Sequence, residues 1–443
     1  MEKKAFPESA SGQPEYISSE TNLLPHRGER TSCPLTDELA YSCTPWKTKQ
    51  YSCDSNGLHE EINDFYDYMK PHPSEIHMRM DVLSRVMNIV LYRYPSARIE
   101  PFGSFITGLF LPTSDLDLVI FCSPQPSLFA LEKDFGAYDM VVGDSMKVLD
   151  RLSVPIIRFT DKATGVKVDI SFNHSTGVDS AGVITQFIHT YRFLPKLVLL
   201  LKQFLAQRDL NETYKGGISS YCLILLLVSF LQHHPRYAGT DFSSANLGEL
   251  LIEFFELYGG RFNYLKTGIC VLNGGRYIAK EEIQAHDFLY VLDPVRPAEN
   301  AGRNCFAMWQ VKQAFEVAYK RLTSAVLSRE NPVPKRESIL GAIVEVPQAT
   351  YEYRDWIDGV WGNHPLSPPT IYYPAPSPMI PPPPLHPVQY YHQMQPFAIS
   401  GEVPIQQLNT AASASSSSSL HSSSEQPSSN SSVAHHEDAT TES

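Results

Sequence analysis

Two aspartates one residue apart, Asp115 and Asp117, run straight into the apolar segment Leu118-Val119-Ile120-Phe121. Side chains alternate along a strand, so these carboxylates share a face while Leu116 and Leu118 take the other. Like charges at that spacing repel unless a cation neutralises them. Hard carboxylate oxygens suit Mg²⁺, which takes one or two protein carboxylates plus substrate phosphates. A third acid, Asp169, is the sole acidic residue of the stretch Val166–Phe172. Upstream, ten residues before Asp115, the pair Gly103-Ser104 ends a short extended segment. Asp-x-Asp alone is common at solvated strand ends. Combined with the Gly-Ser turn and the later strand acid, it fits two-metal phosphoryl transfer, where one ion activates a hydroxyl and the other steadies the leaving pyrophosphate. The turn gives close backbone approach and amide donors for a triphosphate.

The elements that must position these groups follow from periodicity. Val154–Phe159 and Val166–Phe172 read as two strands joined through Asp161-Lys162-Ala163-Thr164-Gly165. Glu60–Met69 and Ser74–Tyr92 have helical spacing, Pro124–Met140 reads as helix or loop, and Ser145–Leu152 leads into the strand pair. From Val178 the period is helical, with helices expected over Val183–Phe193, Pro195–Arg208, Gly217–His233 and Leu247–Tyr258. A hairpin of Asn263–Ile269 with Tyr277–Ala279, a short strand Phe288–Leu292 and a long helix Phe306–Leu327 follow. Tyr351–Trp361 is a last aromatic cluster able to dock on the core.

Composition sets the limits. The 443 residues suffice for two domains plus tails, and the net charge is −12. Residues 355–443 hold seven acids and no Lys or Arg, and residues 1–57 hold eight acids against six bases. The middle is therefore nearly neutral, without the basic footprint of a protein that grips nucleic acid by charge alone. Seven scattered cysteines form no Cys-x-x-Cys pair and argue against a disulfide framework. The first residues lack a signal peptide's apolar run, and Tyr221–Leu231 is too short to cross a bilayer, so a soluble intracellular protein is expected. Residues 1–57 read as a disordered leader, 58–361 as the folded core, and 362–443 as a disordered tail, Pro-rich at 366–387 and Ser-rich at 411–432.

Several segments together carry a resemblance: HEEINDFYDYM, FGSFITGLFLPTSDLDLV, VKVDISFN, LKQFLAQRDLNETYKGGISSY, LLIEFFELYGGRFNYLKTGI, QVKQAFEVAY and ESILG with YRDWI. From about Leu58 to Trp361 the chain resembles the TRAMP-type poly(A) RNA polymerases, terminal nucleotidyltransferases of the DNA polymerase β superfamily. The resemblance implies an α+β fold of two domains. A mixed-sheet catalytic domain at about 95–177 would face a helical domain formed by 58–94 and 178–361. It makes Asp115, Asp117 and Asp169 the catalytic, metal-binding carboxylates for Mg²⁺ (or Mn²⁺), and puts Gly103 and Ser104 on a phosphate-contacting turn. It has Lys202 reach the triphosphate, the Ser220 hydroxyl meet phosphate, and the Tyr221 ring stack on the base. The implied reaction adds AMP from ATP to RNA 3′ ends. The implied partners are a zinc-knuckle RNA-binding protein and an RNA helicase, and the implied location is the nucleus, toward which Lys335-Arg336 is a weak pointer.

One loop departs from the pattern. Close relatives carry Gly-Asn-Asp-Val-Gly-Arg where this chain has Ala298-Glu299-Asn300-Ala301-Gly302-Arg303. Glu299 stands in place of an Asn and Asn300 in place of an Asp; both are candidate base contacts, and the change bears on base discrimination. The competing readings are a uridylyltransferase of the same fold, which would place a His where Glu299 stands, and a weakened paralogue acting as a scaffold. A template-directed DNA polymerase is more distant, as no template-binding segment is apparent.

Overall fold

The computed structural model describes residues 44–236, 245–327 and 338–362. The expected tails at 1–43 and 363–443 and the Lys335-Arg336 pair lie outside the described residues. Helices α1 (Ser55–Met69) and α2 (Pro73–Arg93) lead into strand β1 (Arg98–Phe102). A single-turn helix α3 (Gly103–Thr107) and strand β2 (Leu116–Phe121) follow, then helix α4 (Leu128–Ala137) and strands β3 (Lys147–Leu149), β4 (Ile156–Thr160) and β5 (Lys167–Phe172). The sheet order is β1-β2-β5-β4-β3, with β2 and β5 parallel and the other neighbours antiparallel. Central β2 buries Leu116, Leu118, Val119 and Ile120 completely, as a strand covered on both faces must. The expected α+β class with a mixed sheet is what the chain adopts.

The rest is helical: α5 (Thr176–Thr190), α6 (Leu194–Ala206), α7 (Ser220–Gln232), α8 (Leu247–Glu256), α9 (Met308–Leu327) and α10 (Gln348–Trp361), with a hairpin of β6 (Thr267–Cys270) and β7 (Arg276–Ala279). In α7 every residue from Cys222 to Leu231 is buried, the mark of a helix surrounded by others. Beside it Phe204, Phe254, Phe255 and Phe315 form an aromatic centre, with ring centroids 5.1 Å apart for Phe204–Phe255 and 5.5 Å for Phe254–Phe315. Among the described residues, no helix is long and apolar enough to cross a membrane.

Packed chain reaches further back than the expected boundary at residue 58. Asp54 caps α1 by accepting from the Gly57 amide at 2.8 Å. Trp46 is 1% exposed, meets Phe65 edge-on at 5.0 Å, and donates through Nε1 to Glu61 at 3.1 Å. Glu61, fully buried, also accepts from the Leu340 amide at 2.9 Å and from the Ser338 hydroxyl, so one carboxylate ties three distant segments. A lone Trp in a polar stretch gives no periodicity, which hid this anchor. Helix α2, expected with the helical region, packs on α10 and is also tied to the loops around the sheet. Arg79 donates to the carbonyls of Pro112 and Ser114, Arg85 clasps Asp161, and Arg93 pairs with Asp134. Helix α5 starts at Thr176 rather than 183. A Cβ on Gly177 in its first turn would lie 2.4 Å from the Phe102 ring, so glycine is the residue that lets α5 press on β1. The expected strand Phe288–Leu292 reduces to isolated bridges, Ile269 with Val291 and Leu292 with Asn300.

Candidate active site

The acids converge as strand geometry requires. Asp117 on β2 and Asp169 on β5 are direct neighbours in a parallel register, and Asp115 immediately precedes β2 on the same face. Burial, and then the charges of Asp169 and Asp115, push the Asp117 carboxyl up to about 7. Asp115 is raised as well, chiefly by burial. Phe102 pairs with Asp117 across β1 and β2, so the turn that follows Phe102 lies against this carboxylate. Gly103 there has φ +67°, and a Cβ on it would sit 2.5 Å from Asp117 Oδ2. Both the backbone conformation and the space demand glycine. Gly103→Ala is therefore expected to cost about 1–2 kcal/mol of stability from the left-handed conformation alone and to displace Asp117. Thermal melting and an incorporation assay would check this; wild-type values in both would mean the turn does not press on the acid. Ser104 is the second residue of α3, whose opening amides have no acceptor within the helix.

Lys202, expected to reach the triphosphate, is buried on α6 within range of the acids' charge, with its ammonium engaged by a backbone carbonyl. Its Nζ donates to the Leu109 carbonyl at 2.6 Å, and burial lowers its pKa to about 8 even though Asp117 and Asp115 oppose that shift. It thus joins α6 to the segment between α3 and Asp115 and balances part of the acids' charge. The buried Arg79 supports the same segment from α2, with its guanidinium 4.4 Å over the Phe110 ring. Its position among Met78, Val82 and Val86 on an apolar helix face was the available signal for it.

Arg158 on β4 stands opposite Asp169 in register and binds both its oxygens, Nε to Oδ1 at 2.7 Å. This residue escapes a reading of the sequence because cross-strand register is not written in it. Among the described residues, no three His, Cys, Asp or Glu side chains are set as a closed metal-ligand group, and Asp169 is the member turned aside, onto Arg158. The donor chemistry still fits a divalent cation. Asp115 and Asp117 present hard oxygens from one strand face, burial and then the charge of neighbouring acids raise both carboxyls, and Asp169 lies one strand away. Recruiting Asp169 requires Arg158 to yield it.

The remaining candidates cluster at the start of α7. Ser219, rather than Ser220, caps the helix by accepting from the Cys222 amide at 3.1 Å; half-buried Ser220 is the first helical residue. The Tyr221 hydroxyl donates to Asp293 Oδ1 at 2.8 Å, and Ser180 on α5 also reaches it. Buried Asp293 pairs in turn with Arg296 at 3.2 Å, and Arg296 with Glu299 at 2.8 Å. A polar relay therefore runs from the Tyr221 ring to Glu299, and Asp293, which follows the expected strand Phe288–Leu292, is its hub. Asn300 is differently placed. Its Oδ1 accepts from the amides of Val291 and Gly302, and its Nδ2 donates to Asp287 and the Leu289 carbonyl. All its hydrogen-bonding capacity closes the loop on itself, which turns Asn300 inward rather than toward a base.

A family model described as the central palm domain of mitochondrial-like poly(A) RNA polymerase matches residues 58–192, and one described as Cid1 family poly A polymerase matches residues 246–299. The chain is 38% identical over 312 residues to Trf4-2 of Drosophila melanogaster, a poly(A) RNA polymerase protein named as inactive, covering 68% of this chain and 76% of that one. It is 36% identical over 351 residues to poly(A) RNA polymerase cid14 of Schizosaccharomyces pombe, covering 74% of this chain and 51% of that one, so it spans about half of that longer protein. The solved polymerase core of TRAMP, an RNA surveillance complex, superposes with a TM-score of 0.61 at 31% identity over 68% of this chain and 98% of that one. The Cid1 poly(U) polymerase shares the fold, with a TM-score of 0.55 at 21% identity over 62% of this chain and 96% of that one. At this identity and coverage, the chain belongs to the poly(A) RNA polymerases, a family of nucleotidyltransferase enzymes.

Proposed function

We propose that this protein adds AMP from ATP to RNA 3′ ends without a template and releases pyrophosphate. The observation that carries the reading is the placement of Asp115, Asp117 and Asp169 on one face of β2 and β5, against a turn whose close approach requires Gly103. The RNA 3′ hydroxyl attacks the α-phosphorus, a phosphodiester bond forms, and the bond to the β,γ-pyrophosphate breaks. Bound divalent cations, Mg²⁺ or Mn²⁺ held by the three aspartates, would supply charge neutralisation for the attacking and leaving oxygens. The chain's own groups orient the reactants. In this reading the opening amides of α3 at Gly103 and Ser104 and the Ser220 hydroxyl would meet phosphate, Lys202 would offset the acids' charge, and the Tyr221 ring would stack on the base. On this reading Arg158 exchanges Asp169 for the triphosphate as substrate arrives. The work belongs to nuclear RNA processing or surveillance, with a zinc-knuckle RNA-binding protein and a helicase as partners in a TRAMP-like complex.

A labelled RNA oligonucleotide extended with each of the four NTPs, in Mg²⁺ and in Mn²⁺, tests this. ATP should be incorporated fastest, whereas preferential use of UTP would overturn the adenylation. A second reading, a weakened paralogue acting as a scaffold, is favoured by the divergent loop and by the fly relative named as inactive; incorporation of none of the four NTPs would overturn the adenylation and leave this reading standing. Base choice adds a sharper outcome. An ionised Glu299 only accepts hydrogen bonds, whereas an Asn both donates and accepts. Glu299→Asn should raise the ATP/GTP ratio about fivefold, equivalent to one hydrogen bond of about 1 kcal/mol. An unchanged ratio in a competition assay would show that Glu299, paired as it is to Arg296, does not face the base.

A further inference from the structure

We propose that an exposed aromatic strip beside the acids is the track for the incoming RNA strand: Tyr214, Phe306 and Trp309, interleaved with Lys215, Arg303 and Lys312. This inference rests on the RNA 3′-end transfer proposed above. The three rings are 69%, 70% and 58% exposed, unusual for side chains that gain most from burial. Sequence places Tyr214 far from the other two, but the fold joins them. Gly216 lies under the Phe306 ring so closely that a Cβ would approach it to 2.4 Å, and the Ala307 amide donates to the Gly216 carbonyl at 3.0 Å. Trp309 stands one turn further along, at the start of α9. Among the described residues, none of the three rings stacks on another aromatic side chain; Gly216 backs one side of Phe306 and the Lys215 ammonium lies 5.6 Å from the Tyr214 ring centre, which leaves the outer ring surfaces for bases.

The strip is continuous with the site. Residues 212–216 run directly into Ser219, Ser220 and Tyr221, and the Glu212 charge is felt by both Asp115 and Arg158. Single-stranded RNA is the occupant whose chemistry matches. Its bases stack on any exposed ring irrespective of sequence, and its phosphates pair with cations set between the rings. Lys215 and Lys312 stand 3.9 Å and 4.0 Å from Asp209 and Glu316, loose contacts that a phosphate can replace, and Arg303 is exposed. A chain whose folded part is nearly neutral has little long-range charge with which to hold RNA, so stacking must supply much of the grip.

The test uses the full chain and a fluorescent oligoadenylate of about 15 nucleotides, with binding read by anisotropy in the absence of ATP. The triple variant Tyr214→Ala, Phe306→Ala, Trp309→Ala should bind the RNA at least about tenfold more weakly, with ATP affinity by calorimetry within about twofold of wild type. Trp309→Phe, which keeps a ring, should hold RNA within about twofold of wild type. Lys215→Gln should lower the slope of log affinity against log salt by about 0.7. Three results would each overturn the proposal: a triple variant that binds RNA as wild type does, which would leave the strip to a protein partner; parallel loss of ATP and RNA affinity; and a wild-type chain with no measurable RNA affinity. Because nothing is turned over in this assay, failure to extend RNA would refute the proposed activity and leave this result standing.

Discussion

Asp117→Asn is expected to reduce nucleotide addition by at least about 100-fold and, in EDTA at pH 8, to melt at a higher temperature than the wild-type chain. The two effects have one origin. Asp117 is held at about 7 in the folded chain, against an ordinary value of 3.8, by burial and by the charges of Asp169 and Asp115. The folded state therefore binds this proton more tightly than the unfolded state does. Its contribution to stability is fully present below pH 3.8 and is lost as pH rises through 7. A shift of that size corresponds to about 4 kcal/mol without a cation, and the asparagine removes it. Wild-type melting should fall between pH 5 and pH 8 in EDTA and recover with Mg²⁺, whereas Asp117→Asn should show a much flatter profile. A variant that tails RNA within twofold of wild type, or melts with the wild-type pH slope, would refute the assignment of Asp117 to a cation-binding, catalytic role.

The largest stability effect is expected at Arg354, remote from the acids. This arginine on α10 is buried; Nε lies 3.2 Å from Glu75 Oε1 and an Nη lies 3.1 Å from Oε2. The same guanidinium donates to the carbonyls of Tyr68, Met69 and Lys70, acceptors left over at the end of α1. Glu75 also closes the start of α2 by accepting from the His72 amide at 2.7 Å. Arg354→Met strips three carbonyls and a buried carboxylate of their donor, and should cost about 3–5 kcal/mol. Adding Glu75→Gln should recover part of that loss, since the remaining charge goes too. Urea denaturation of the two single variants and the double variant reads both quantities. A single-variant loss below about 1 kcal/mol would mean that the pair is solvated rather than buried.

The site was legible in sequence to the extent that strands are. Asp115, Asp117 and Asp169 declare themselves because an acid in an apolar alternating run is conspicuous, and the parallel register then brings them together. Arg158 did not, because its partner is chosen by strand pairing, a long-range fact. Strand β3, three residues long at the sheet edge, is too short to show a period. Asn300 misled in the other direction. A polar residue in a recognition loop looks like a reader of bases, but this loop has few ladder hydrogen bonds and uses the Asn amide as its internal brace. The helical half was easier. Helix α6 falls within one residue of its expected start and two of its expected end, because thirteen residues of leucine-rich 3.6-residue periodicity outweigh any local exception.

The closure of this fold by Glu61 sets an order on its making. The carboxylate that holds Trp46 waits for Ser338 and Leu340, contacts 277 and 279 residues further along the chain, and Tyr353 reaches back to the Thr164 carbonyl at 2.8 Å. A ribosome that has delivered the sheet and most of the helices has still not delivered the residues that lock them. Until residues 338–340 emerge, buried Glu61 lacks two of its three donors, although Trp46 already has Phe65 and Glu61 within reach. The early helices therefore wait, open to chaperones and proteases, for a finish supplied from the far end.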